Sequence, residues 1–332
     1  MDSVLISVIM PVYNGAAYLK EAIDSILCQT YRNYEFIIIN DGSTDKSAEV
    51  IRTYDDSRIR YYEHENQGLA ATLNRGIELS RGKYIARQDQ DDVSFPRRLE
   101  KQLDFLETNP DYAIVGTWAE IWVGDKKTKR SHRHPSDNLT LQFDLLFTNP
   151  FVHSSMMLRR LVLKEIGPYT RDNARQPPED YELWSRIAKQ YKIANIPEIL
   201  QIYREIPKSM SRDKNNPIFD RAITISRENL SWVLGTGASE PEVGDLAALA
   251  LEGYHFLSGG CNLRSLSRTI TKAADALSDL EKEPHHRLRK RARIYSKPVR
   301  NRYLSNKYKR IVAPFKALIN IVRSAGGVRG MG

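Results

Sequence analysis

Residues 34–45, YEFIIINDGSTD, join an almost continuous apolar run to a short polar turn. The run at residues 34–40 is rich in β-branched side chains, which predicts a strand that is buried on both faces. Such strands are typical of parallel sheets that helices cover on each side. Gly42 predicts a turn after the strand, and Ser43 or Thr44 can cap the helix that follows. The stretch therefore predicts one strand–turn–helix unit of an α/β fold.

The same alternation of strand and helix signals extends over the first hundred residues. A short apolar run at residues 4–10 predicts another strand, as do residues 57–63 and 83–88, and segments with helical spacing of apolar residues lie between the strands. This order predicts a Rossmann-like, mainly parallel sheet flanked by helices, with right-handed crossovers. Residues 111–210 mix short strands with helices, and the signals from residue 217 onward are helical. We expect an α/β domain with a C-terminal helical extension.

Composition limits the class of protein further. Of the 332 residues, 41% are hydrophobic, which suffices for a sizeable core. The two cysteines, Cys28 and Cys261, have neither metal-site nor disulfide spacing, which favours a reducing compartment. The first residues lack the basic region of a signal peptide, and no run approaches the roughly 20 apolar residues of a membrane-spanning helix. We expect a cytoplasmic protein.

The stretch ARQDQDDVSFP, residues 86–96, places three aspartates within four positions. Asp89 and Asp91 are two positions apart, so their side chains share one side of an extended segment. Two converging carboxylates without nearby Cys or His suit a hard cation such as Mg²⁺ or Mn²⁺, which substrate phosphates usually help to coordinate. The alternative is a solvated acidic turn before a helix, and Asp92 or Ser94 could cap that helix in either case.

Two more polar stretches follow predicted strands, PVYNG after the first and NDGSTD after the second. Ligands of parallel sheets bind beyond the carboxyl ends of the strands, so we expect these stretches to converge with the acidic one. Asp41 could bond to a base edge or a ribose, or it could belong only to the turn. Tyr13 could stack on a base, or it could lie in the core.

A third acidic signal stands far downstream in QPPEDYELWSRI, residues 176–187. Glu179 and Asp180 begin a predicted helix, where carboxylates are also favourable as simple capping groups. Trp184 follows Asp180 by one turn on the same helical face, where it could raise a carboxyl pKa and stack on a sugar ring. A carboxylate in such a place is a candidate general base.

These stretches occur in an order that resembles family 2 of the glycosyltransferases, inverting enzymes with the GT-A fold, of the type that builds bacterial surface polysaccharides. Each motif alone is weak, whereas the ordered series over residues 4–211 is specific. In chain order the motifs are PVYNG, SILCQTYRNYEFIIINDGSTD, NQGLAATLNRGI, GKYIARQDQDD, PFVHSSMMLRR, IGPY, EDYELWSRI and YREIPKSMS. The resemblance implies a catalytic domain at residues 1–212, with a donor half at about 1–110 and an acceptor half at about 111–212.

On the donor side, the resemblance implies binding of a nucleotide sugar, with UDP as the expected nucleotide. Pro11, Tyr13 and Asp41 would hold the base, with Tyr13 stacked on it. Asp91 would be the main ligand of a Mn²⁺ or Mg²⁺ ion, and Asp89 would serve the ribose or the same ion. The ion would bridge the diphosphate and stabilise the charge on the leaving nucleotide.

On the acceptor side, the resemblance implies that Asp180 is the catalytic base. It would deprotonate an acceptor hydroxyl as that oxygen attacks the anomeric carbon and inverts its configuration. Glu179, Trp184 and His153 would line the acceptor site, and Arg204 would contact the diphosphate. Two departures from the family pattern are Asn40, where an aspartate is common, and Ile206, where a histidine is common.

Other classes fit the sequence less well. A nucleotidyltransferase, or another nucleotide-sugar enzyme, would need a Gly-rich phosphate loop after the first strand, and PVYNGAAY is not one. A dehydrogenase is disfavoured because the G-x-G-x-x-G fingerprint is missing. A non-catalytic binding protein is disfavoured because Asp41, Asp91 and Asp180 are all present. The QxxRW motif of processive synthases is absent, which favours transfer of a single sugar.

Positive charge is concentrated at the C-terminal end. Residues 284–332 contain 14 Lys and Arg and no acidic residue. The rest of the chain therefore has 36 of the 50 basic residues and all 41 acidic residues. We divide this end into a helical extension, residues 213–283, and a basic amphipathic segment, residues 284–332, with a short helix from Pro314. Such a segment suits an anionic membrane surface, although it could instead dock on the body of the protein.

The interleaved tyrosines also allow contact with nucleic acid, which we disfavour because the upstream motifs explain the protein without it. We therefore expect a peripheral protein on the inner face of the cell membrane, with a glycan or lipid-linked acceptor.

Overall fold

The computed structural model describes residues 5–206 and 217–326, and the side chains as far as residue 307. The chain forms two compact units, Met1–Ile225 and Ser226–Gly332.

The first unit begins with alternating strands and helices. They are β1 (Ile6–Val12), α1 (Ala16–Leu27), β2 (Tyr34–Asp41), α2 (Ser47–Arg52), β3 (Ile59–His64), α3 (Leu69–Leu79) and β4 (Tyr84–Arg87). β1 pairs in parallel with β2 and with β4, and β2 pairs in parallel with β3. Every residue of β1, β2 and β4 is buried, as expected for strands of a parallel sheet that is covered on both faces. The predicted α/β architecture is confirmed for this part of the chain.

The rest of the first unit adds antiparallel pairs to the same sheet. Its elements are β5 (Val93–Ser94), α4 (Arg98–Thr108), β6 (Tyr112–Val123), β7 (Lys126–His132), α5 (Asn138–Leu145), β8 (Met157–Arg159), α6 (Arg160–Ile166), α7 (Glu179–Ala188) and β9 (Lys192–Glu205). The strand order is β3-β2-β1-β4-β8-β6-β9-β5, with β7 paired to β6. β6 and β9 are parallel, whereas β8 is antiparallel to both of its neighbours. The sheet is mixed and mostly parallel.

Two strands differ from the sequence prediction. Residues 191–196 and 199–204 predict separate strands, but both lie in β9, which runs past Pro197. The pairing register with β6 shifts there, from Thr117 opposite Ile196 to Trp118 opposite Ile199. A bulge of this kind accommodates a proline, which has no N–H to donate. β7 was not predicted because its sequence, KKTKRSH, is polar and lies mostly exposed at the edge of β6.

The second unit is helical, and its boundary with the first falls within α8 (Ile218–Leu234). α9 (Pro241–Ala250), α10 (Leu263–Leu280) and α11 (His285–Gly326) follow. α10 buries one apolar stripe, and α11 buries Leu288, Ala292 and Val299. The prediction that a helix begins at Pro314 is wrong, since α11 begins at His285 and continues through Pro314. Within the described ranges, no helix combines the length and apolarity that crossing a bilayer requires.

Candidate active site

The loops that follow β1 and β2 are joined at the carboxyl edge of the sheet. The Asn14 N–H donates to Ser43 Oγ at 3.0 Å, and Asn14 Oδ1 accepts from the Thr44 N–H at 2.8 Å. The Gly15 N–H donates to Ser47 Oγ at 3.0 Å. The predicted convergence of PVYNG with NDGSTD is therefore confirmed.

Asp41, predicted to contact the base, holds the next loop in place. Its Oδ1 accepts from the Gln67 N–H at 2.7 Å, and its Oδ2 accepts from the Gly68 N–H at 3.0 Å. Pro11 is buried within β1, whereas the side chain of Tyr13 is 50% exposed. Of the three residues predicted to hold the base, Tyr13 thus offers the accessible surface.

Asp89 and Asp91 lie half-buried in the loop after β4. The Arg87 guanidinium donates to Asp89 Oδ1 at 2.6 Å. Burial, followed by the neighbouring charge of Asp89, raises the pKa of Asp91 to about 7. No cluster of three or more His, Cys, Asp or Glu that could hold a metal occurs among the described residues. Two crowded carboxylates nevertheless fit Mg²⁺ or Mn²⁺, because these ions take few protein ligands and complete their shell with phosphates.

Arg87 connects this acidic loop to the acidic end of α7. Its side chain is 3% exposed, and its Nε is buried without a hydrogen-bond partner among the described residues. Its charge lowers the pKa of Asp91, Glu179 and Asp180, in each case against a larger increase from burial. No predicted site included Arg87, although a cation at the end of an otherwise apolar strand is a signal for it.

Asp92 differs from the two aspartates before it because it is fully enclosed. It accepts a hydrogen bond from the Ser154 hydroxyl, and its Oδ1 accepts from the Arg204 N–H at 2.7 Å. Burial, then the charge of Asp89, raises the pKa of Asp92 well above its usual range. Asp92 therefore ties the acidic loop to β9.

Arg204 does not have the accessible side chain that a diphosphate contact requires. Its side chain is 0% exposed. Its Nη2 donates to Glu21 at 2.5 Å, its Nη1 donates to the Gly124 carbonyl at 2.7 Å, and its Nε donates to the Asp91 carbonyl at 2.8 Å. The guanidinium also lies over the ring of Tyr18, 4.4 Å from the centroid. The structure therefore argues against the predicted diphosphate contact, and it places Arg204 behind the acidic loop as a support.

Asp180 stands in the first turn of α7, half-buried, with both oxygens hydrogen-bonded. Its Oδ1 accepts from the Tyr181 N–H at 2.7 Å, and its Oδ2 accepts from Asn149 Nδ2 at 2.7 Å. Burial is the largest of the effects that raise the pKa of Asp180 to about 6. A carboxyl that titrates near neutral pH can exchange a proton with a ligand. Asn149 was not predicted as a site residue, since a loop residue 31 positions away gives no pattern that points to Asp180.

Glu179 and His153 lie beside Asp180 and are both buried or nearly so. Burial, then the charge of Asp180, raises the pKa of Glu179 to about 7. His153 Nδ1 is 3.9 Å from Glu179 Oε1, and His153 Nε2 is 2.9 Å from the Tyr169 hydroxyl. Burial, then the charge of Arg87, lowers the pKa of His153 well below its usual value. The imidazole is therefore neutral at physiological pH.

Trp184 does not face a ligand, contrary to the prediction that it stacks on a sugar. Its side chain is 0% exposed, and its ring packs at steep angles against Phe151, His153 and Tyr169. The helical spacing correctly predicted a shared face with Asp180, but the indole is enclosed by the loops around it. Its N–H has no partner within the part of the chain that the structure describes.

Comparison with known sequences identifies the family. The model described as "Glycosyl transferase family 2" matches residues 7–167. An uncharacterized glycosyltransferase of Haemophilus influenzae is 32% identical over 280 residues, which cover 79% of this chain and 84% of that protein. An uncharacterized glycosyltransferase of Methanocaldococcus jannaschii is 36% identical over 230 residues, which cover 66% of this chain and 78% of the relative.

Solved structures agree on the fold. TarS 1–349 of S. aureus, in complex with UDP-GlcNAc, is similar with a TM-score of 0.59 and 14% identity, over 93% of this chain and 92% of that one. The mannosyltransferase PcManGT of Pyrobaculum calidifontis, in complex with GDP-Man and Mn²⁺, has a TM-score of 0.54 and 18% identity, over 92% of this chain and 86% of that one. This protein is a glycosyltransferase with the GT-A fold, and it belongs to glycosyltransferase family 2.

Proposed function

We propose that this enzyme transfers one sugar from a UDP-sugar to a hydroxyl of a glycan or lipid-linked acceptor, with inversion at the anomeric carbon. The observation that carries the proposal is the placement of two acidic groups around one buried cation. Arg87 is bonded to Asp89 and acts by its charge on both Asp91 and Asp180. Asp89 and Asp91 suit the site of the departing diphosphate, and Asp180 suits the site of the incoming hydroxyl.

On the donor side, Tyr13 stacks on the base, and Pro11 and Asp41 shape the pocket beside it. Asp91 and Asp89 hold a Mn²⁺ or Mg²⁺ ion, which when bound stabilises the negative charge on the leaving diphosphate. The Mn²⁺ in the complex of the similar mannosyltransferase supports this assignment. The UDP-GlcNAc bound to TarS supports a uridine nucleotide, and the GDP-Man bound to the mannosyltransferase makes a guanosine nucleotide the alternative.

On the acceptor side, Asp180 accepts the proton of the acceptor hydroxyl while that oxygen forms a bond to the anomeric carbon. The bond from this carbon to the diphosphate oxygen breaks in the same step, with its electron pair leaving on the nucleotide. Asn149 and the Tyr181 N–H fix the orientation of the carboxylate before the acceptor arrives. Glu179 and the neutral His153 line the acceptor site.

We also propose that the second unit associates with an anionic membrane surface on the cytoplasmic side. α11 buries Leu288, Ala292 and Val299, and its exposed residues include four cations, Lys290, Arg293, Lys297 and Arg300, with Ile294 also exposed. Each such cation near an anionic surface contributes about 1 kcal/mol of attraction. A lipid-linked acceptor would then be concentrated where the enzyme binds.

Vesicle sedimentation tests the membrane proposal. Replacing all four cations by glutamate should release the enzyme from vesicles that contain phosphatidylglycerol while the rate of donor hydrolysis stays unchanged. The matched control makes the same replacement at four exposed lysines of the first unit, Lys20, Lys46, Lys126 and Lys129. Equal release by both variants would argue against a specific role for α11.

A donor panel tests the enzymatic proposal. We expect release of nucleoside diphosphate from a UDP-sugar in the presence of Mn²⁺, and its loss by at least a hundredfold in Asp180→Asn, as for removal of a general base. Asp111, a carboxylate with a side chain that is 73% exposed, provides the control Asp111→Asn. Undiminished release by Asp180→Asn would overturn the assignment of the base.

A further inference from the structure

Gln90, the residue between Asp89 and Asp91, is bonded to the main chain of Tyr13. The Tyr13 N–H donates to Gln90 Oε1 at 2.8 Å, and Gln90 Nε2 donates to the Tyr13 carbonyl at 3.0 Å. The two bonds use the acceptor and the donor end of one side-chain amide, so the orientation of the amide is fixed. A carboxylate of the same length could make only the first bond.

Gly15 leaves room for this contact. A Cβ at position 15 would lie 2.2 Å from Gln90 Oε1 and 2.4 Å from Gln90 Cδ, closer than side-chain atoms approach. The φ angle of Gly15 is −105°, which other residues adopt readily. The glycine is therefore required for space beside Gln90 rather than for its backbone conformation.

The contact joins two parts of the donor site that come from different strands. Tyr13 follows β1 and carries the exposed ring, whereas Gln90 follows β4 and stands between the two crowded carboxylates. The two residues after Tyr13 fix the other side of this loop, since the Asn14 N–H donates to Ser43 Oγ and the Gly15 N–H donates to Ser47 Oγ. Gln90 thus supplies the direct link from this loop to the acidic loop.

We propose that Gln90 is a positioning residue that sets the distance between the base-binding and diphosphate-binding parts of the donor site. This inference rests on the proposed function. A nucleoside diphosphate spans both parts, so its affinity depends on their spacing, as for any ligand that joins two binding groups. Inorganic pyrophosphate with Mn²⁺ occupies only the acidic part and is insensitive to where Tyr13 lies.

The test compares these two ligands by isothermal titration calorimetry with Mn²⁺ present. Loss of two hydrogen bonds in Gln90→Ala should weaken UDP binding about tenfold. Binding of pyrophosphate should change less than about threefold, because Asp89 and Asp91 remain. Gln90→Glu should resemble Gln90→Ala, since it removes the donor to the Tyr13 carbonyl. The exposed Gln190 provides the control Gln190→Ala, which should bind both ligands as the wild type does.

Gly15→Ala tests the same contact from the other side. It should weaken UDP binding in the wild-type background, because the new Cβ displaces the Gln90 amide. In the Gln90→Ala background the same change should have little further effect, since the three atoms that meet the Cβ all belong to Gln90 beyond its Cβ. Melting temperatures verify that each variant folds.

Three outcomes would overturn the inference. They are wild-type UDP affinity in Gln90→Ala, an equal loss for UDP and pyrophosphate, and additive effects of the two substitutions. Absence of Mn²⁺-dependent binding of UDP, GDP and dTDP by the wild type would instead refute the proposed function itself. The two failures are therefore distinguishable.

Discussion

Replacing Asn149 by alanine should move the acidic limb of the pH–rate profile to higher pH. Asn149 Nδ2 donates to Asp180 Oδ2 at 2.7 Å, and this bond stabilises the charged carboxylate. The pKa of Asp180 is about 6 because the effect of burial exceeds that of its hydrogen bonds. Removing the Asn149 donor takes away one of the hydrogen bonds that lower the pKa of Asp180, while the effect of burial remains. The pKa therefore rises, and Asp180 is protonated over a wider range of acidic pH.

The size of the shift follows from the strength of the bond. A hydrogen bond to a charged group contributes about 1.5–3 kcal/mol, and the half-buried position of Asp180 favours the lower end. A value of about 1.4 kcal/mol corresponds to one pKa unit. The ionised fraction near pH 6 would then fall about fivefold, while the rate at pH 9 would be nearly unchanged.

The assay is the rate of nucleoside diphosphate release from pH 5 to pH 9 at saturating donor and Mn²⁺. Asn149→Asp is an informative second variant, because it keeps an acceptor for the Phe151 N–H and adds a like charge beside Asp180. It should move the limb further than Asn149→Ala does. Asn173, an exposed residue, provides the control Asn173→Ala. An unmoved acidic limb in a folded Asn149→Ala protein would show that this hydrogen bond does not set the pKa of the catalytic base.

Three further predictions concern Asp91, Trp184 and Arg204. The pKa of Asp91 is raised from 3.8 to about 7, so the metal-free protein loses stability as pH rises through this interval. Asp91→Asn should therefore raise the melting temperature of the metal-free protein at pH 8 and abolish its stabilisation by UDP with Mn²⁺. A lower melting temperature for this variant would contradict the prediction. Trp184→Ala should reduce the urea-derived free energy of unfolding by about 3–5 kcal/mol, and a loss below 1 kcal/mol would be inconsistent with complete burial. Arg204→Lys keeps the positive charge but loses the several hydrogen bonds of the guanidinium, so its activity and melting temperature should fall as far as those of Arg204→Gln. An active lysine variant would instead support the predicted contact of Arg204 with the diphosphate.

The donor-side loops could be predicted because their meeting point depends only on the order and direction of the strands. β1, β2 and β4 are buried throughout, and each of these strands is followed at once by polar residues. Parallel pairing then brings the loops to one edge without any knowledge of side-chain packing. The acidic pair Asp89 and Asp91 belongs to this predictable part.

The enclosure of single side chains could not be predicted in this way. Helical spacing put Trp184 on the face of Asp180, but whether that face opens to a ligand depends on the loops that carry Phe151 and Tyr169. Arg204 matched a motif, yet its guanidinium is held by Glu21, which lies 183 positions away in the sequence. Contacts of this separation leave no periodic signal in one chain.

The stereochemistry of transfer distinguishes a single displacement with Asp180 as base from other mechanisms. Water can replace the acceptor, so ¹H NMR can follow the sugar that is released from an α-linked UDP-sugar with Mn²⁺ before its anomers equilibrate. One direct displacement with Asp180 as base predicts that the β-anomer forms first and that Asp180→Asn forms almost none. First release of the α-anomer would rule out a single displacement, because retention requires a different mechanism.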